Sequence, residues 1–251
     1  MTCAEARALP LVSELTAAIG QEIDARDPLD TIAWPDLPTV GAMVLHSGNV
    51  QRWVTAVVRS RTAVDQASVA ATAVADSAAW YMEGRAALLE TLAAAPPQDP
   101  CWVLGKRPGS VGFWRRRMIY ENAKHLMDLR AAGGRSWAAA EELSTADYAD
   151  GLDELFEVFL PRSRPRLTAL PTPVVLRPDD TNRRWHIDRD WNITSPTLSP
   201  TDITATEISA HTSDLALALW QRADLRDRDR FNITGSSTTV DALASTAIHP
   251  W

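Results

Sequence analysis

Hydrophobic residues recur at three- and four-residue steps through most of the first 160 residues, which is the spacing of helices that bury one face. This pattern predicts a first helix over residues 4–25, ended by Asp27-Pro28, and a second from Thr39 to about Arg61. An alanine-rich stretch from about Ala63 to Leu92 predicts a third helix, which stops before Pro96-Pro97. The first part of the chain is therefore expected to be helical.

Two more helices complete this part of the chain. Ser110 is a candidate N-cap for a fourth long helix that runs to about Ala132 and ends at Gly133-Gly134. A shorter helix is predicted from about Thr145 to Leu160. Four long helices with short connections favour an antiparallel four-helix bundle, which we assign to residues 1–162.

The pattern changes at Pro161, where prolines begin to punctuate the chain as in a linker. Alternating or β-branched segments predict three strands, at residues 173–177, 184–191 and 203–210. Two helices are predicted among them, one over 213–222 with Ser213 as its cap and one from Val240 to Ala247. Residues 171–251 are therefore expected to form a small α/β domain, which makes the chain an α+β protein.

Composition and charge narrow the function classes. The chain has 251 residues, of which 45% are hydrophobic and 23% charged, and its formal net charge is −7. An acidic chain is repelled by phosphate groups, so we expect no nucleic-acid or membrane partner. No apolar run approaches the roughly 20 residues that span a bilayer, and no secretory signal is visible. A cytoplasmic protein, monomeric or homodimeric, is expected.

The cysteines and one charged segment add little chemistry. Cys3 and Cys101 lie in different contexts, so a disulfide framework is not expected. We interpret Cys101, which follows Pro100, as a small loop or core residue rather than a nucleophile. Arginines and aspartates alternate over residues 226–230, which predicts a solvated loop rather than a basic patch.

The fourth predicted helix carries the most informative pattern. Its residues Trp114, Met118, Glu121, His125 and Leu129 follow steps of four, three, four and four, so they lie along one stripe. Tryptophan, methionine and leucine on this stripe indicate that it faces the bundle core. A carboxylate within such a face is costly to bury unless a positive group meets it.

His46 lies at the edge of the apolar stripe of the second helix, where helix packing can bring it opposite Glu121 and His125. Two imidazoles and one carboxylate form a three-ligand site with open positions, as in catalytic metal centres. Zinc is the expected metal, and nickel, iron or manganese accept the same ligands. From the residues alone, two other interpretations stay open: a surface hydrogen bond between Glu121 and His125, and a hydrogen-bonded core histidine at His46.

Four blocks of sequence stand in order along nearly the whole chain. They are WPDLPTVGAMVLHSGNVQRW (34–53), FWRRRMIYENAKHLMD (113–128), DYADGLDELFEVFL (147–160) and SDLALALWQRADLRDRDRFNIT (213–234). Together they resemble the DinB-like, mycothiol-dependent maleylpyruvate isomerase family of actinobacteria. The second block is similar to the family's F-W-x-R-R-x-x-H-E-x-x-x-H-R-x-D signature, and the third to the acidic helix that closes its bundle.

The resemblance implies that His46, Glu121 and His125 are metal ligands, and all three are intact. It also implies a low-molecular-weight thiol, mycothiol, as cosubstrate. In the family the thiolate adds to an activated double bond, the resulting single bond rotates, and elimination of the thiol restores the double bond in the other configuration. Relatives that stop after addition or displacement act as S-transferases. A divalent cation favours this chemistry because it stabilises a bound thiolate.

Three positions depart from the family pattern. Tyr120 replaces the histidine before the glutamate, Leu126 the arginine after the second histidine, and Gln221 the glycine of W-G-R. We therefore predict an S-transferase or isomerase that acts on a small electrophilic metabolite. Maleylpyruvate isomerase proper, an enzyme using another thiol or only bound water, and a non-catalytic metal- or small-molecule-binding bundle protein are the alternatives.

Other residues are expected around this site. Arg222 is the catalytic candidate that holds a substrate carboxylate, with a surface arginine that caps the 213–222 helix as the alternative. Four residues are predicted to line the substrate or cofactor pocket: Trp53, Trp114, Arg117 and Tyr120. Plain packing is the alternative for the tryptophans, and a solvated helix face is favoured for Arg115, Arg116 and Arg117. Asp128 is expected to accept a hydrogen bond from a ligand histidine.

A second group of candidate ligands lies in the C-terminal part. His186, Asp188 and Asp190 alternate along a presumed strand and so would share one face. Arg183, Arg184 and Arg189 lie beside them, which favours a solvated, salt-bridged face over a second metal site.

Overall fold

The computed structural model describes residues 3–34, 36–105, 108–194 and 205–248. The chain divides into two compact units, Met1–Glu142 and Leu143–Trp251. This division falls before the helix predicted at Thr145, whereas the sequence places the domain boundary between residues 162 and 171. The predicted domains, residues 1–162 and 171–251, remain a prediction. Pro35 and residues 203–204 of the strand predicted at 203–210 lie outside the described residues.

Four long helices make up the first unit: α1 (Cys3–Asp24), α2 (Val40–Ser60), α3 (Ser77–Ala94) and α4 (Val111–Ala131). Helices α1 and α2 each pack against both α3 and α4, so the four form a bundle around a common apolar core. The sequence predictions for α1, α2 and α4 are confirmed to within one residue at each end.

Local hydrogen bonds set the ends of α2. Thr39 Oγ1 accepts the Ala42 N–H at 3.2 Å, as an N-cap residue does. At the other end, Arg61 adopts a left-handed conformation with φ of 64°, and its N–H donates to the Val57 carbonyl at 2.8 Å. Ser110 has the extended backbone of an N-cap before α4, but its side chain makes no capping hydrogen bond.

The third helix is shorter than its alanine content predicts. The helix expected from Ala63 to Leu92 begins only at Ser77, after an irregular segment that contains one 3₁₀ turn. Asp76 accepts the Ala79 N–H at 2.9 Å and so caps the helix, and Asp65 caps the 3₁₀ turn in the same way. Aspartate side chains compete for backbone N–H groups, which favours turns and caps over a helix interior.

The second unit opens with a continuous helical segment. Helix α5 (Thr145–Glu154) passes into a π-helical turn (Leu155–Phe159) and then into α6 (Leu160–Ser163). The prediction that Pro161 begins a linker is wrong, because Pro161 lies within α6, which continues this helical segment. Helix α5, expected to close the bundle, packs against a later helix of its own unit, α7 (Thr212–Leu219).

The second unit contains a five-stranded sheet in the order β3-β2-β1-β4-β5. The strands are β1 (Val174–Pro178), β2 (Trp185–Ile187), β3 (Ile193–Thr194), β4 (Thr206–Ala210) and β5 (Asn232–Thr234). Strands β1 and β4 pair in parallel, with Leu176 opposite Ile208, and the other pairs are antiparallel. The strand predicted over 184–191 is shorter than expected, since only β2 lies within that range, and β3 and β5 were not predicted.

Helix α7 begins without the predicted cap. Its N-cap position is His211, not Ser213, and no side-chain capping bond forms there. Asp180 instead accepts hydrogen bonds from the N–H and hydroxyl of Thr212, the first residue of the helix. The last helix, α8 (Ser237–Ala244), is capped by Ser236 and starts earlier than predicted.

The fold bears on the predicted role of Cys101 and on the membrane-spanning potential of the helices. Cys101 is a free, buried cysteine whose burial raises the pKa of its thiol, which confirms the interpretation as a core residue. Within the described ranges, no helix combines the length and apolar character that a bilayer crossing requires.

Candidate metal centre

Helices α2 and α4 bring three candidate ligands together from distant parts of the chain. The two helices pack against each other in the bundle. His46 lies in α2, while Glu121 and His125 lie four residues apart in α4, so their side chains project from one face.

The three side chains converge on one point. His46 Nε2 lies 3.2 Å from Glu121 Oε1, and His125 Nε2 lies 3.0 Å from the same oxygen. The two imidazole centroids are 4.9 Å apart, and the ring planes are inclined by 80°. One donor atom of each residue lies within 4.8 Å of the other two, and no other His, Cys, Asp and Glu group in the described part of the chain has this arrangement.

The cluster is largely enclosed by the bundle. Glu121 is 9% exposed and His125 6%, so the interpretation of this pair as a surface hydrogen bond is wrong. Trp114, Met118 and Leu129 are almost completely buried, which confirms that the predicted stripe of α4 faces the core. The His46 side chain retains 20% of its accessible surface, so the cluster meets solvent on the α2 side.

Glu121 divides its two carboxylate oxygens between different partners. Oε1 faces both imidazoles, while Oε2 accepts a hydrogen bond from Arg117 Nη2 and lies 4.0 Å from Lys124 Nζ. Burial by itself would raise the pKa of the Glu121 carboxyl, but Arg117 and His125 outweigh this effect and hold it well below its usual range. The carboxylate is therefore ionised, as a metal ligand must be.

Asp128 supports His125 from the opposite side. Asp128 is fully buried; its Oδ2 lies 3.3 Å from His125 Nδ1, and its Oδ1 accepts the Trp137 indole N–H at 2.9 Å. Burial would lower the pKa of His125, but Glu121 and Asp128 outweigh it and raise that pKa. The contact between Asp128 and His125 is present as the sequence suggests, and its part in orienting a metal ligand remains a prediction.

The donor set fits a divalent transition metal. Two imidazole nitrogens and one ionised carboxylate oxygen suit zinc, nickel, iron or manganese, and three protein ligands leave positions for a further ligand. Metal-binding histidines commonly donate their other ring N–H to a carboxylate. Asp128 is the carboxylate in this position beside His125.

The expectation of a solvated arginine face on α4 is wrong for two of the three arginines. Arg115 and Arg117 are both buried. Arg115 donates through Nη2 to the carbonyls of Leu92 and Ala95, at 2.7 and 3.0 Å. Arg117 binds Glu121, so it adjoins the cluster, and its further role in a substrate pocket remains a prediction.

Three tryptophans form an aromatic cluster in the bundle core. Trp53 and Trp114 meet edge to face with centroids 5.2 Å apart, and Trp102 packs against both. Two of the indole N–H groups have partners within the bundle, since Trp53 donates to the Val64 carbonyl and Trp114 to that of Trp102. These contacts favour the packing interpretation, and a place for Trp53 and Trp114 in a pocket wall remains a prediction.

The two departures from the family signature on α4 are buried. Tyr120 is 2% exposed and Leu126 is fully enclosed. An arginine at Leu126 would need a partner inside the bundle, because an unpaired buried charge is costly. The leucine therefore changes the interior of the bundle, while Tyr120 stays a predicted pocket residue.

Arg222 is a buried residue of the second unit. It is only 3% exposed, and its Nη1 donates to the carbonyl of Trp220, just after α7. The alternative of a surface arginine is therefore wrong, although the contact with the helix end that it implied is present. The proposed contact of Arg222 with a substrate carboxylate remains a prediction.

The second predicted cluster does not assemble. Strand β2 ends at Ile187, so the alternation that would align His186 with Asp188 and Asp190 stops there. Asp188 instead accepts the backbone N–H groups of Asp190 and Asn192, at 2.9 and 2.8 Å, and holds a turn. These turn contacts fit the solvated face that the sequence favours.

Sequence reasoning missed Lys124, which is buried beside Glu121. A spacing of three residues places Lys124 next to Glu121 on a helix, and that signal was present in the sequence. Trp102 was also missed, because it lies outside any predicted element.

The fold and the cluster together define an α+β protein with a DinB-like four-helix bundle that carries a His-Glu-His group. A family described as "Mycothiol maleylpyruvate isomerase N-terminal domain" matches residues 36–130. The matched segment is similar to that domain, and it includes His46, Glu121 and His125.

Solved structures have the same fold. The crystal structure of a histidine-to-alanine variant of the mycothiol-dependent maleylpyruvate isomerase aligns with a TM-score of 0.66 at 12% identity, covering 95% of this chain and 97% of that chain. A crystal structure titled as the mycothiol-dependent maleylpyruvate isomerase gives 0.63 at 11% identity, with the same coverage. No curated protein matches the chain by sequence.

Proposed function

We propose that the chain is a divalent-metal, thiol-dependent enzyme of the mycothiol type, an S-transferase or isomerase acting on a small electrophilic metabolite. The observation that carries the proposal is the convergence of His46, Glu121 and His125 within one enclosed cluster. The matched family and the two similar structures are named for mycothiol and maleylpyruvate, which supports a thiol as the cosubstrate.

The residues of the cluster account for the chemistry that such an enzyme needs. A divalent cation held by His46, Glu121 and His125 would lower the pKa of a coordinated thiol, so that the sulfur is nucleophilic near neutral pH. Asp128 orients His125 through Nδ1 and directs its Nε2 toward the cluster. Arg117 keeps Glu121 ionised, and the buried side chains of α4 around the cluster limit the access of water.

The substrate is proposed to be a small electrophile with an acidic group. Arg222 is the proposed partner for its carboxylate, because a guanidinium group can form two parallel hydrogen bonds with a carboxylate. The predicted pocket residues Trp53, Trp114, Arg117 and Tyr120 belong to the same proposal.

Maleylpyruvate isomerase proper is the second candidate, favoured by the names of both similar structures. Tyr120, Leu126 and Gln221 depart from the family pattern and favour a different electrophile. Product analysis with maleylpyruvate and mycothiol separates the two: conversion to the trans isomer supports the second candidate, and a stable thioether or no turnover supports the first.

Thermal unfolding with zinc and candidate thiols tests the thiol proposal. A thiol that binds the folded, zinc-loaded protein at 100 times its dissociation constant should add about 2.7 kcal/mol to the free energy of unfolding. Mycothiol should raise the melting temperature of the zinc-loaded protein, and it should have no effect on the metal-free protein or on H46A.

Two results would contradict the proposal in different ways. Zinc binding without stabilisation by any low-molecular-weight thiol would exclude a thiol cosubstrate and favour a metal enzyme that uses bound water, as hydrolases do. Absence of stoichiometric metal would favour the non-catalytic binding protein.

A further inference from the structure

The two oxygens of Glu121 have different surroundings. Oε1 lies 3.2 and 3.0 Å from the Nε2 atoms of His46 and His125, so it points into the cluster. Oε2 points away from the imidazoles, toward Arg117 Nη2 and the ammonium group of Lys124. A carboxylate that used both oxygens for one cation would have to give up the second set of contacts.

The position of Arg117 makes that exchange costly. Arg117, Glu121 and His125 are spaced by four residues, so they follow one another along the same face of α4. The Arg117 side chain is 5% exposed and that of Glu121 11%, so water cannot replace either partner. Breaking a buried ion pair leaves an uncompensated charge, so the pair between Arg117 and Glu121 resists the exchange.

We infer that Arg117 is a positioning residue that holds Glu121 Oε2, so that Glu121 presents only Oε1 to the cation of the cluster. This inference rests on the proposed metal centre and adds a determinant of its coordination. One-oxygen binding leaves a position for an incoming ligand that two-oxygen binding would occupy. The two oxygens of Glu121 thereby have different partners: Oε1 binds the cation, and Oε2 binds Arg117 of the same helix.

Arg115 provides a matched control on the same helix. It is also a buried arginine of α4, and its Nη2 donates to the carbonyls of Leu92 and Ala95, which are not cluster residues. Loss of Arg115 therefore reports the general effect of removing a buried guanidinium group. Loss of Arg117 reports the same effect together with the release of Glu121.

The experiment is a titration of the metal-free protein with Co²⁺, followed by its visible absorption and by calorimetry. The variants are R117M, R117K and R115M, and circular dichroism checks that each is folded. The intensity of the Co²⁺ d–d bands falls as the coordination number rises, so the spectrum reports whether Glu121 binds through one oxygen or two.

R117M should bind Co²⁺ about 10- to 100-fold more weakly than the parent, as expected for loss of an outer-sphere partner. Its d–d bands should also be weaker, and R117K should restore part of both properties because an ammonium group can still bind Oε2. R115M should match the parent in affinity and spectrum. If R117M does not fold, R117K alone should show the intermediate affinity and spectrum.

Unchanged or tighter Co²⁺ binding by R117M with the parent spectrum would overturn the inference and leave the metal centre standing. An equal loss in R115M and R117M would reduce Arg117 to a structural residue and would also overturn it. A parent protein that binds no Co²⁺ would contradict the proposed function itself, and the inference would fall with it.

Discussion

Two groups of histidine and acidic residues stand out in the sequence, and the fold treats them in opposite ways. His46, Glu121 and His125 come from two packed helices and meet with donor atoms within 4.8 Å, mostly out of contact with water. His186, Asp188 and Asp190 lie close together in the sequence, yet the strand that would align them ends at Ile187.

The two groups differ in the hydrogen-bond and ion-pair partners of their acidic side chains. Asp188 finds the backbone N–H groups of a turn that it stabilises itself, so it is a structural residue near solvent. Glu121 has few such backbone partners within a helix, because the helix uses its own N–H groups, and it depends on Arg117 and the two histidines. A carboxylate kept ionised in a core by side chains alone is the stronger indication of a functional site.

The largest expected effect is that of E121Q. The glutamine removes the negative charge that the buried Arg117 contacts at Glu121, which should destabilise the metal-free protein by about 3 kcal/mol or more. It also removes the anionic ligand, so stoichiometric zinc should be lost. Urea unfolding and elemental analysis measure the two effects. D188N, the matched change in the other group, should bind stoichiometric zinc as the parent protein does. Loss of zinc in D188N, or retention of zinc in E121Q, would contradict the assignment of the metal centre to Glu121.

D128N should have the next largest effect, on the metal rather than on the fold. The amide oxygen can still accept the Trp137 indole N–H, but the charge that orients His125 is lost, so zinc should bind about 10- to 100-fold more weakly. Competition titration with a chromogenic chelator measures this change. Asp153 accepts the indole N–H of Trp185 in the second unit, so D153N is the control and should bind zinc as the parent does.

The smallest effect is expected for D188N on stability. Burial would raise the pKa of Asp188, but hydrogen bonds from the side chain and backbone of Asn192 outweigh it and lower that pKa. A lowered pKa stabilises the fold above the unfolded value of about 3.9 and loses this effect as the pH falls through the folded value. D188N should therefore cost about 1 kcal/mol or less at neutral pH, since the site is near solvent.

Denaturant unfolding of the parent and D188N over a range of pH measures this dependence. The difference between the two proteins should close as the pH falls below about 4. A difference that grows toward acidic pH would show that Asp188 is stabilised when protonated, contrary to the turn contacts.

The sequence was sufficient for the helices that carry the cluster and for the residues in it. The steps of four between Trp114 and Met118 and between Glu121 and His125 define the buried stripe of α4, and the structure has that stripe in the core. The start of α3 was missed because alanine content predicts helix, whereas the side chain of Asp76 decides where the helix begins. Propensity is a weak guide where a single cap competes with it.

The partners of the cluster were harder to predict than its members. Arg117 was predicted as a pocket residue, with a solvated helix face favoured for the three arginines together. Its four-residue spacing from Glu121 is the spacing of a helical ion pair. Spacing alone cannot say whether such a pair is exposed or buried, because that depends on which neighbouring helix covers it. Arg222 shows the same difficulty, since its burial cannot be read from its place in the sequence.

The most direct measurement is anomalous diffraction at the zinc absorption edge from crystals grown with zinc. A single strong peak should lie about 2.0–2.2 Å from His46 Nε2, Glu121 Oε1 and His125 Nε2, the usual bond lengths to zinc. A peak beside His186 or Asp188, or no peak in crystals in which those three side chains keep their positions, would contradict the account.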